Sequence, residues 1–351
     1  MIRKKVDLRE FNTLGVHSVA DKFAEVRNEQ EIVELYKGGK FKNENLFILG
    51  GGSNVLFGER FHGMILKIGM EGIEIPGENE EKVWVRIGAG ENWHQFVTWC
   101  VEHGYGGVEN LALIPGTTGA APVQNIGAYG RELEEVFDSL KGFDLEKGCF
   151  RKFTKSECGF SYRNSIFKSE LKNRFLITEV VLQLNKKPHS IKADYQSLKD
   201  YLEKKGIIYP AIRDVYDAVV EIRKSKLPDP DVIGNAGSFF KNPVIPIQDY
   251  ENLKKQFRDM PGYPANNAKV KIPAAWLIEK CGWKGKRIGN AGSYENQALV
   301  IVNHGNATGK EIFLLSQKIK ESVKEKFGIS LVPEVNMIGD FEYIKKSGSP
   351  E

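Results

Sequence analysis

One uncharged stretch, Ile114–Gly130, combines the residue types that let a main chain approach a ligand closely. It reads IPGTTGAAPVQNIGAYG and contains four glycines. Glycine permits positive φ, while Pro115 and Pro122 stiffen the path, so the stretch is neither an ordinary strand nor an ordinary helix. Two threonines, a glutamine and an asparagine add hydrogen-bonding groups. Since a glycine-rich loop alone is weak evidence for a cofactor, a tightly packed turn is an equally good interpretation of what we call the second glycine loop.

A shorter stretch, Gly50–Phe57, follows the apolar run Asn45–Leu49 and reads GGGSNVLF. We call it the first glycine loop. Consecutive glycines can present successive N–H groups to an anion. The dinucleotide pattern G-x-G-x-x-G is not met, since Val55 stands at its sixth position, and this excludes a Rossmann interpretation. Two uncharged glycine loops in one chain predict a large, mostly neutral cofactor with a pyrophosphate, held by main chain.

Three side chains could take part in acid–base or electrostatic catalysis. Ser238 lies in GNAGSFFKNP, where composition alone favours a turn serine. Arg163 in SYRNS offers a planar fork suited to a carboxylate, although most arginines form surface ion pairs. Glu334 lies in an otherwise apolar run, where a carboxylate is unusual. It could also simply cap the edge of a sheet.

Composition sets the class of protein. The 351 residues are 41% hydrophobic and 27% charged, which is typical of a soluble globular chain of two or three domains. A net charge of +4 gives no reason to expect nucleic acid but suits a substrate that carries phosphates. Neither a signal peptide nor a membrane span is recognised, so a cytoplasmic protein without a membrane partner is expected. The cysteines and histidines lack ligand spacing, so reduced thiols and no metal are expected.

The elements that must position these residues follow from periodicity and capping signals. Helices are predicted at Asn28–Tyr36, Trp93–Val101, Ala211–Lys226, Pro273–Cys281 (with proline at its first position) and Glu311–Phe327. Strands are predicted at Asn45–Leu49, Val83–Ile87, Val136–Leu145, Phe150–Thr154, Phe175–Leu184 and Ile329–Ile338, with a hairpin turn at 146–148. Because helices and strands do not alternate regularly, the predicted fold class is α+β. The best domain boundary is Leu227–Pro230, and the tail from Lys345 is expected to be disordered.

Between Asn12 and Gly339 the motifs GGGSN, IPGTTGAAPVQNIGAYG, YRNS, KLPDP, GNAGSFFKNP and PEV occur in that order. In this order they resemble the UDP-N-acetylenolpyruvoylglucosamine reductases, the FAD enzymes that make UDP-N-acetylmuramate for peptidoglycan, and in particular the branch of that family with a tyrosine loop. The order of the motifs carries more weight than any one of them.

The resemblance implies an FAD-binding region of two α+β subdomains, at about 1–70 and 71–220, of the vanillyl-alcohol-oxidase or PCMH-like type. A substrate-binding α+β domain would follow at 221–328, then a final strand at 329–342 carrying Glu334 and a tail at 343–351. The resemblance also implies NADPH as co-substrate and a UDP-sugar as the small-molecule partner, with no obligate protein partner. Since neither glycine loop contains histidine or cysteine, the FAD is expected to be non-covalent.

By the same resemblance, Ser238 is the proton donor to the enol carbon of the substrate, and Arg163 and Glu334 stabilise the enolate. The implied FAD-binding residues are Gly50, Gly51, Gly52, Ser53, Asn54, Pro115, Gly116, Thr117, Gly119, Ala120, Gln124, Asn125, Ile126 and Gly127. The implied substrate-binding residues are Tyr162, Tyr195, Lys226, Asn242, Tyr263, Lys271 and Gln297.

Two alternatives stay open. Another FAD-dependent oxidoreductase could share the fold, since a fold does not fix a function; it would give no reason for Arg163, Ser238 and Glu334 to occur together. A non-catalytic flavin or nucleotide-sugar binding protein would keep the glycine loops but would tolerate the loss of Ser238.

Overall fold

The computed structural model describes residues 1–265 and 268–341 and divides into two compact units. The first unit comprises Met1–Val6, Ala20–Gly51 and His62–Lys224, and the second comprises Asp7–Val19, Gly52–Phe61 and the chain from Ser225 onward. Two early segments therefore belong to the unit formed mainly by the C-terminal part of the chain. The tail expected to be disordered from Lys345 lies outside the described residues.

Seven α-helices form within the described ranges: α1 (Glu29–Lys37), α2 (Trp93–Glu102), α3 (Gln196–Lys204), α4 (Ile212–Lys226), α5 (Ile247–Gln256), α6 (Ala274–Lys280) and α7 (Gly309–Phe327). All five predicted helices are confirmed. The Asn28 side chain caps α1, and Thr308 and Glu311 form a capping box on α7. The prediction that proline is the first residue of α6 is wrong by one position, since Pro273 is the N-cap. Helices α3 and α5 were not predicted.

The strands are β1 (Arg3–Asp7), β2 (Val19–Val26), β3 (Leu46–Leu49), β4 (Val55–Phe57), β5 (Arg60–Ile68), β6 (Ile73–Glu78), β7 (Lys82–Gly88), β8 (Gly127–Ala128), β9 (Arg131–Glu132), β10 (Phe137–Asp144), β11 (Cys149–Thr154), β12 (Phe175–Asn185), β13 (Gly234–Ser238), β14 (Val244–Pro246), β15 (Tyr263–Ala265), β16 (Lys269–Lys271), β17 (Arg287–Ile288), β18 (Ala291–Ser293), β19 (Val300–Asn303) and β20 (Asn336–Ile338). Helices and strands are mixed without regular alternation, which agrees with the predicted α+β class.

The first unit is built on two sheets. An antiparallel sheet has the order β11-β10-β12-β7-β6, and a second sheet has the order β1-β2-β5-β3, in which β3 and β5 run parallel. Helix α2 buries Trp93, Phe96 and Val97 in the same core as the inward residues of β12. The predicted hairpin of β10 and β11 is confirmed. In its turn, the Asp144 carboxylate accepts hydrogen bonds from the amides of residues 146 and 147.

The second unit has its own core around an antiparallel sheet of order β13-β19-β18-β17. Helix α7 contributes Ile312, Leu315 and Ile319 to this core, together with Phe239 and Phe240, which directly follow β13. A small antiparallel sheet, β14-β16-β15, and a parallel pair, β20 with β4, complete the unit.

The prediction of a long final strand from Ile329 to Ile338 is wrong. Only Asn336–Ile338 forms a strand, and the residues before it make an isolated bridge between Pro333 and Phe240. Pro333 has no N–H group and cannot continue a ladder, which accounts for the break. Glu334 therefore lies in a short irregular segment just before β20.

Candidate functional site

The two glycine loops touch each other through their main chains. A Cβ placed on Gly50 would lie 2.6 Å from Thr117 Oγ1, and one placed on Gly51 would lie 3.0 Å from the Cα atom of Gly116. Neither position has room for a side chain. Glycine in the first loop is thus explained by close packing on the second, and the main chain of both loops is left accessible at their contact.

The second glycine loop consists of closely packed turns. It contains two short 3₁₀ turns, Thr118–Ala120 and Pro122–Gln124, and a Cβ on Gly119 would lie 2.5 Å from that of Ala89. Asn125 is fully buried in the left-handed region, with φ +45°. Its side chain donates to Glu132 at 3.1 Å and accepts from the amide of Glu134 at 3.0 Å, so this residue secures the end of the loop.

The residues of the loops fit a large neutral cofactor. Thr117 Oγ1 is buried and has no hydrogen-bond partner in the described residues, whereas buried polar atoms nearly always have one. An acceptor or donor on a bound group would supply the missing partner. Neither loop carries a charged side chain. A pyrophosphate would therefore be held by N–H groups and hydroxyls, and main-chain N–H groups of this kind can bind an anion such as the pyrophosphate of FAD.

Arg163 lies in a tight turn in which Ser161 and Asn164 exchange main-chain hydrogen bonds. Its φ is +55°, a strained conformation for a residue with a long side chain. The guanidinium Nη2 donates to the carbonyl of Gly127, in the second glycine loop, at 2.6 Å, and the group lies 5.3 Å from the ring centre of Tyr162. The structure thus brings the predicted catalytic arginine against the predicted FAD loop.

Sequence reasoning missed a second cation beside this loop. Arg223, half-buried on α4, donates from Nε to the carbonyl of Leu113 at 3.3 Å. The pKa of Arg223 is lowered mainly by burial and also by the charge of Arg163, while Tyr129 opposes this change. Burial raises the pKa of Tyr129. A signal existed, because Arg223 lies four residues after Val219, on the apolar stripe of α4. Two guanidinium groups, those of Arg163 and Arg223, therefore lie beside the second glycine loop.

In the second unit, Ser238 and Glu334 lie on neighbouring segments. The amide of Glu334 donates to the carbonyl of Phe239 at 2.9 Å, and Phe240 bridges to Pro333. Ser238 itself is exposed at the end of β13, directly after Gly237, whose φ is +64°. The two phenylalanines are fully buried and anchor the segment in the core. The structure therefore brings two of the predicted catalytic residues together along the main chain.

Asn54, the last residue of the GGGSN motif, joins this group. Its side-chain amide donates to the carbonyl of Glu334 at 3.4 Å, and its own carbonyl accepts from the Asn336 main chain at 3.0 Å. Asn54 thus secures the segment that carries Glu334.

Three predicted substrate-binding residues of the second unit gather at the small sheet. Tyr263 on β15 and Lys271 on β16 are directly opposite each other. Asn242 lies just before β14. Its side-chain oxygen accepts a hydrogen bond from the amide of Ala274, so it caps the start of α6 although it is distant in sequence. Lys226 is exposed at the end of α4, and Gln297 lies in the turn before β19. In the first unit, Tyr162 and Tyr195 are both exposed.

A cavity of about 1100 Å³ lies elsewhere in the second unit, lined in part by Gly234, His304 and Lys310, and none of the predicted site residues lines it. Over residues 1–265 and 268–341, no three histidine, cysteine, aspartate or glutamate side chains converge as metal ligands would. None of the helices in these ranges is sufficiently long and apolar to span a bilayer.

Two family models match the chain. Residues 20–148 match the FAD binding domain, and residues 229–338 match the C-terminal domain of UDP-N-acetylenolpyruvoylglucosamine reductase. The chain is 45% identical over 337 residues to the UDP-N-acetylenolpyruvoylglucosamine reductase of Flavobacterium johnsoniae, and the match covers 96% of this chain and 99% of that protein.

Two solved structures share the fold. The UDP-N-acetylenolpyruvylglucosamine reductase (MurB) of Thermus caldophilus aligns over 97% of this chain and all of its own, with a TM-score of 0.68 at 23% identity. The 6-hydroxy-D-nicotine oxidase of Arthrobacter nicotinovorans aligns over 96% of this chain and 88% of its own, with a TM-score of 0.51 at 13% identity. The predicted fold, a PCMH-like FAD-binding region followed by a C-terminal domain, is confirmed.

Proposed function

Since this chain belongs to the family of UDP-N-acetylenolpyruvoylglucosamine reductases, we infer that it reduces the enolpyruvyl group of UDP-N-acetylenolpyruvoylglucosamine to give UDP-N-acetylmuramate in peptidoglycan precursor synthesis. The reaction depends on FAD and is driven by NADPH. The observation that carries this conclusion is 45% identity over nearly the full length of a reductase, in a chain whose two glycine loops pack on each other.

The main chains of the two glycine loops and Thr117 Oγ1 would hold the FAD. When bound, FAD would supply the two-electron transfer from NADPH to the enolpyruvyl double bond. The absence of charged side chains in the loops leaves the cofactor's pyrophosphate to N–H donors. The Arg163 bond to the Gly127 carbonyl ties this arginine to the second loop.

Ser238 is the proton donor. Its hydroxyl transfers a proton to the carbon next to the carboxylate as reduction of the neighbouring methylene leaves negative charge there. An alcohol is a weak acid, so it can serve only where the carbanion is strongly basic and water is excluded. The buried anchors Phe239 and Phe240 favour this role, because they fix the exposed hydroxyl without occupying the space around it.

Arg163 and Glu334 stabilise the developing enolate. The guanidinium supplies a fixed positive charge and two parallel donors that match a carboxylate. Glu334 contributes to the same stabilisation of the charge that develops on the enolate. The main-chain bonds of Glu334 to Phe239 and Asn54 favour a fixed position for that carboxyl group.

The UDP-sugar is bound by the predicted polar set. Tyr263 and Lys271, paired across the small sheet, and Lys226 offer donors for the diphosphate and sugar. Asn242 keeps its amide donors for substrate, because its oxygen is used to cap α6. Gln297, Tyr162 and Tyr195 complete the set. Because NADPH and UDP-sugars are cytoplasmic metabolites, we place the enzyme in the cytoplasm.

The test is a two-step anaerobic reaction. Purified protein is reduced with NADPH, the excess is removed, and UDP-N-acetylenolpyruvoylglucosamine is added while the flavin absorbance is followed. Return of the absorbance with formation of UDP-N-acetylmuramate is the expected result. UDP-N-acetylglucosamine, which lacks the enolpyruvyl double bond, is the control and should leave the flavin reduced. A reduced protein that does not respond to the enolpyruvyl substrate would refute the function.

A further inference from the structure

The segment of residues 186–195 joins β12 to α3 without regular secondary structure and ends at Tyr195. Tyr195 is 51% exposed and is the N-cap residue of α3. Its ring meets that of Tyr129, in the second glycine loop, edge-on at 5.3 Å between ring centres. Where the Tyr195 ring lies therefore depends on what holds this segment to the loop.

Asn110 makes the most direct connection. Its side chain is fully buried, and its single Nδ2 group donates to the carbonyl of Tyr129 at 2.9 Å and to the carbonyl of Lys192 at 2.9 Å. A primary amide is the one uncharged side-chain group that can donate two such bonds from one nitrogen. The amide oxygen of Asn110 has no hydrogen-bond partner among the described residues, so the two donated bonds account for its polar contacts.

Arg131 makes the second connection. It is only 7% exposed and donates from Nη2 to the carbonyl of Ser190 at 3.3 Å. Its charge is balanced by Glu135, at 3.3 Å, and by the fully buried Glu109, at 3.8 Å. Glu135 in turn pairs with Lys192 at 2.5 Å. Two carbonyls and one side chain of the segment are thus held by residues that flank or precede the second glycine loop.

We propose that Asn110 and Arg131 are positioning residues that clamp the segment of residues 186–195 to the second glycine loop and so present Tyr195, against Tyr129, to the UDP-sugar. This rests on the proposed function, specifically on Tyr195 contacting the substrate. Neither Asn110 nor Arg131 acts on the substrate directly. They act through the segment, so their substitution should change the affinity for substrate more than the rate of the chemical step.

The clamp can be tested without substrate by limited proteolysis. Trypsin cuts after lysine except before proline, so the bond after Lys187 is resistant. The bond after Lys186 lies at the start of the segment, and the bond after Lys192 reports on its middle. Asn110→Leu removes both donated bonds at similar volume, and cleavage after Lys192 in the FAD-loaded protein should become about tenfold faster or more. Lys187→Gln, in the same segment, is the matched control and should cleave like wild type.

Arg131→Lys, which keeps the charge but has no fork, provides a second variant if Asn110→Leu fails to fold, and it should also speed this cleavage. Unchanged cleavage after Lys192 in the folded variants would overturn the clamp.

A double-mutant cycle then separates positioning from general stability. Asn110→Leu should raise the KM for the UDP-sugar about tenfold with FAD content unchanged, and should add nothing further to the KM of Tyr195→Ala, because both act through one ring. Additive effects on KM, or a fall in FAD content alone, would overturn the proposal in favour of a structural role. If the wild-type protein turns over but Tyr195→Ala leaves KM unchanged, only the positioning proposal is overturned. If the enolpyruvyl substrate does not reoxidise the reduced flavin of the wild-type protein, the proposed function itself is refuted.

Discussion

The contact between the two glycine loops makes a quantitative prediction for Gly50→Ala. The added Cβ would lie 2.6 Å from Thr117 Oγ1 and 3.3 Å from the Cβ of Ala120. An ordinary contact needs about 3.5 Å, so the first distance is short by roughly 1 Å. Relief requires the loops to separate or the threonine to leave its position, and overpacking of this kind costs about 1–3 kcal/mol.

A matched glycine isolates that cost. A Cβ added to Gly77, on β6 in the same unit, would have no atom within 4 Å, and neither Gly77 nor Gly50 has a positive φ. Alanine reduces the freedom of the unfolded chain by a similar amount at both positions, about 0.4–1 kcal/mol, so this term cancels in the comparison. The difference between Gly50→Ala and Gly77→Ala should therefore be the clash itself, a difference in Tm of roughly 2–12 °C.

The assay is thermal unfolding of the apoprotein, so that FAD binding does not add its own stabilisation. Adding Thr117→Ala to Gly50→Ala removes the oxygen at 2.6 Å and should recover about 0.5–3 kcal/mol, since contacting residues couple by this much. FAD affinity should not recover in the double variant if Thr117 Oγ1 binds the cofactor. Equal melting of the two alanine variants would refute the packing argument, and normal FAD affinity in the double variant would refute the role of the hydroxyl.

Four further outcomes are expected. Ser238→Ala should slow substrate-dependent reoxidation by ~10²–10⁴-fold, and Ser238→Cys should recover part of it, with reduction by NADPH intact in both. Arg163→Ala and Glu334→Gln should also suppress reoxidation selectively; equal loss of both half-reactions would indicate a structural role. Acid precipitation should release all the flavin, because neither glycine loop offers a histidine or cysteine, and a coloured pellet would contradict this. Burial, with the charges of Lys224 and Arg223, lowers the pKa of His94. As pH falls through about 6.5, His94 is protonated in the unfolded state before it is protonated in the folded state, and this lowers the stability of the folded protein. His94→Gln should therefore lessen the loss of Tm between about pH 7 and 5.

Helices with explicit caps could be predicted from the sequence because the signals are local. Asn28 and the Thr308–Glu311 box occupy the positions that satisfy free amides, and the helices begin there. Helices α3 and α5 lack such signals. Tyr195 and Pro246 stand at their N-caps without a side-chain bond, so neither start could be seen in the sequence.

The site could be predicted only in part, because its remaining features depend on contacts distant in sequence. Arg223 looks like a surface arginine until α4 is placed beside Leu113 and Tyr129. Asn110 carries no motif, and its function as a bridge appears only when the carbonyls of Tyr129 and Lys192 are brought to the same side chain. The resemblance implied which residues would contact ligands, but it gave no indication of residues such as Asn110 and Arg223, which bond to neighbouring main chain.

The surroundings of Ser238 determine how its substitution should be read. The residue is exposed, but Phe239 and Phe240 beside it are fully buried, and the Phe239 main chain bonds to Leu299 and Glu334. The backbone at Ser238 is therefore fixed by neighbours whose contacts do not involve the hydroxyl. Removing that hydroxyl leaves those core contacts in place, so a slow second half-reaction in Ser238→Ala would report the lost proton donor. If Ser238→Ala also lost thermal stability or FAD, the core contacts would depend on the hydroxyl, and Ser238 would have a structural role.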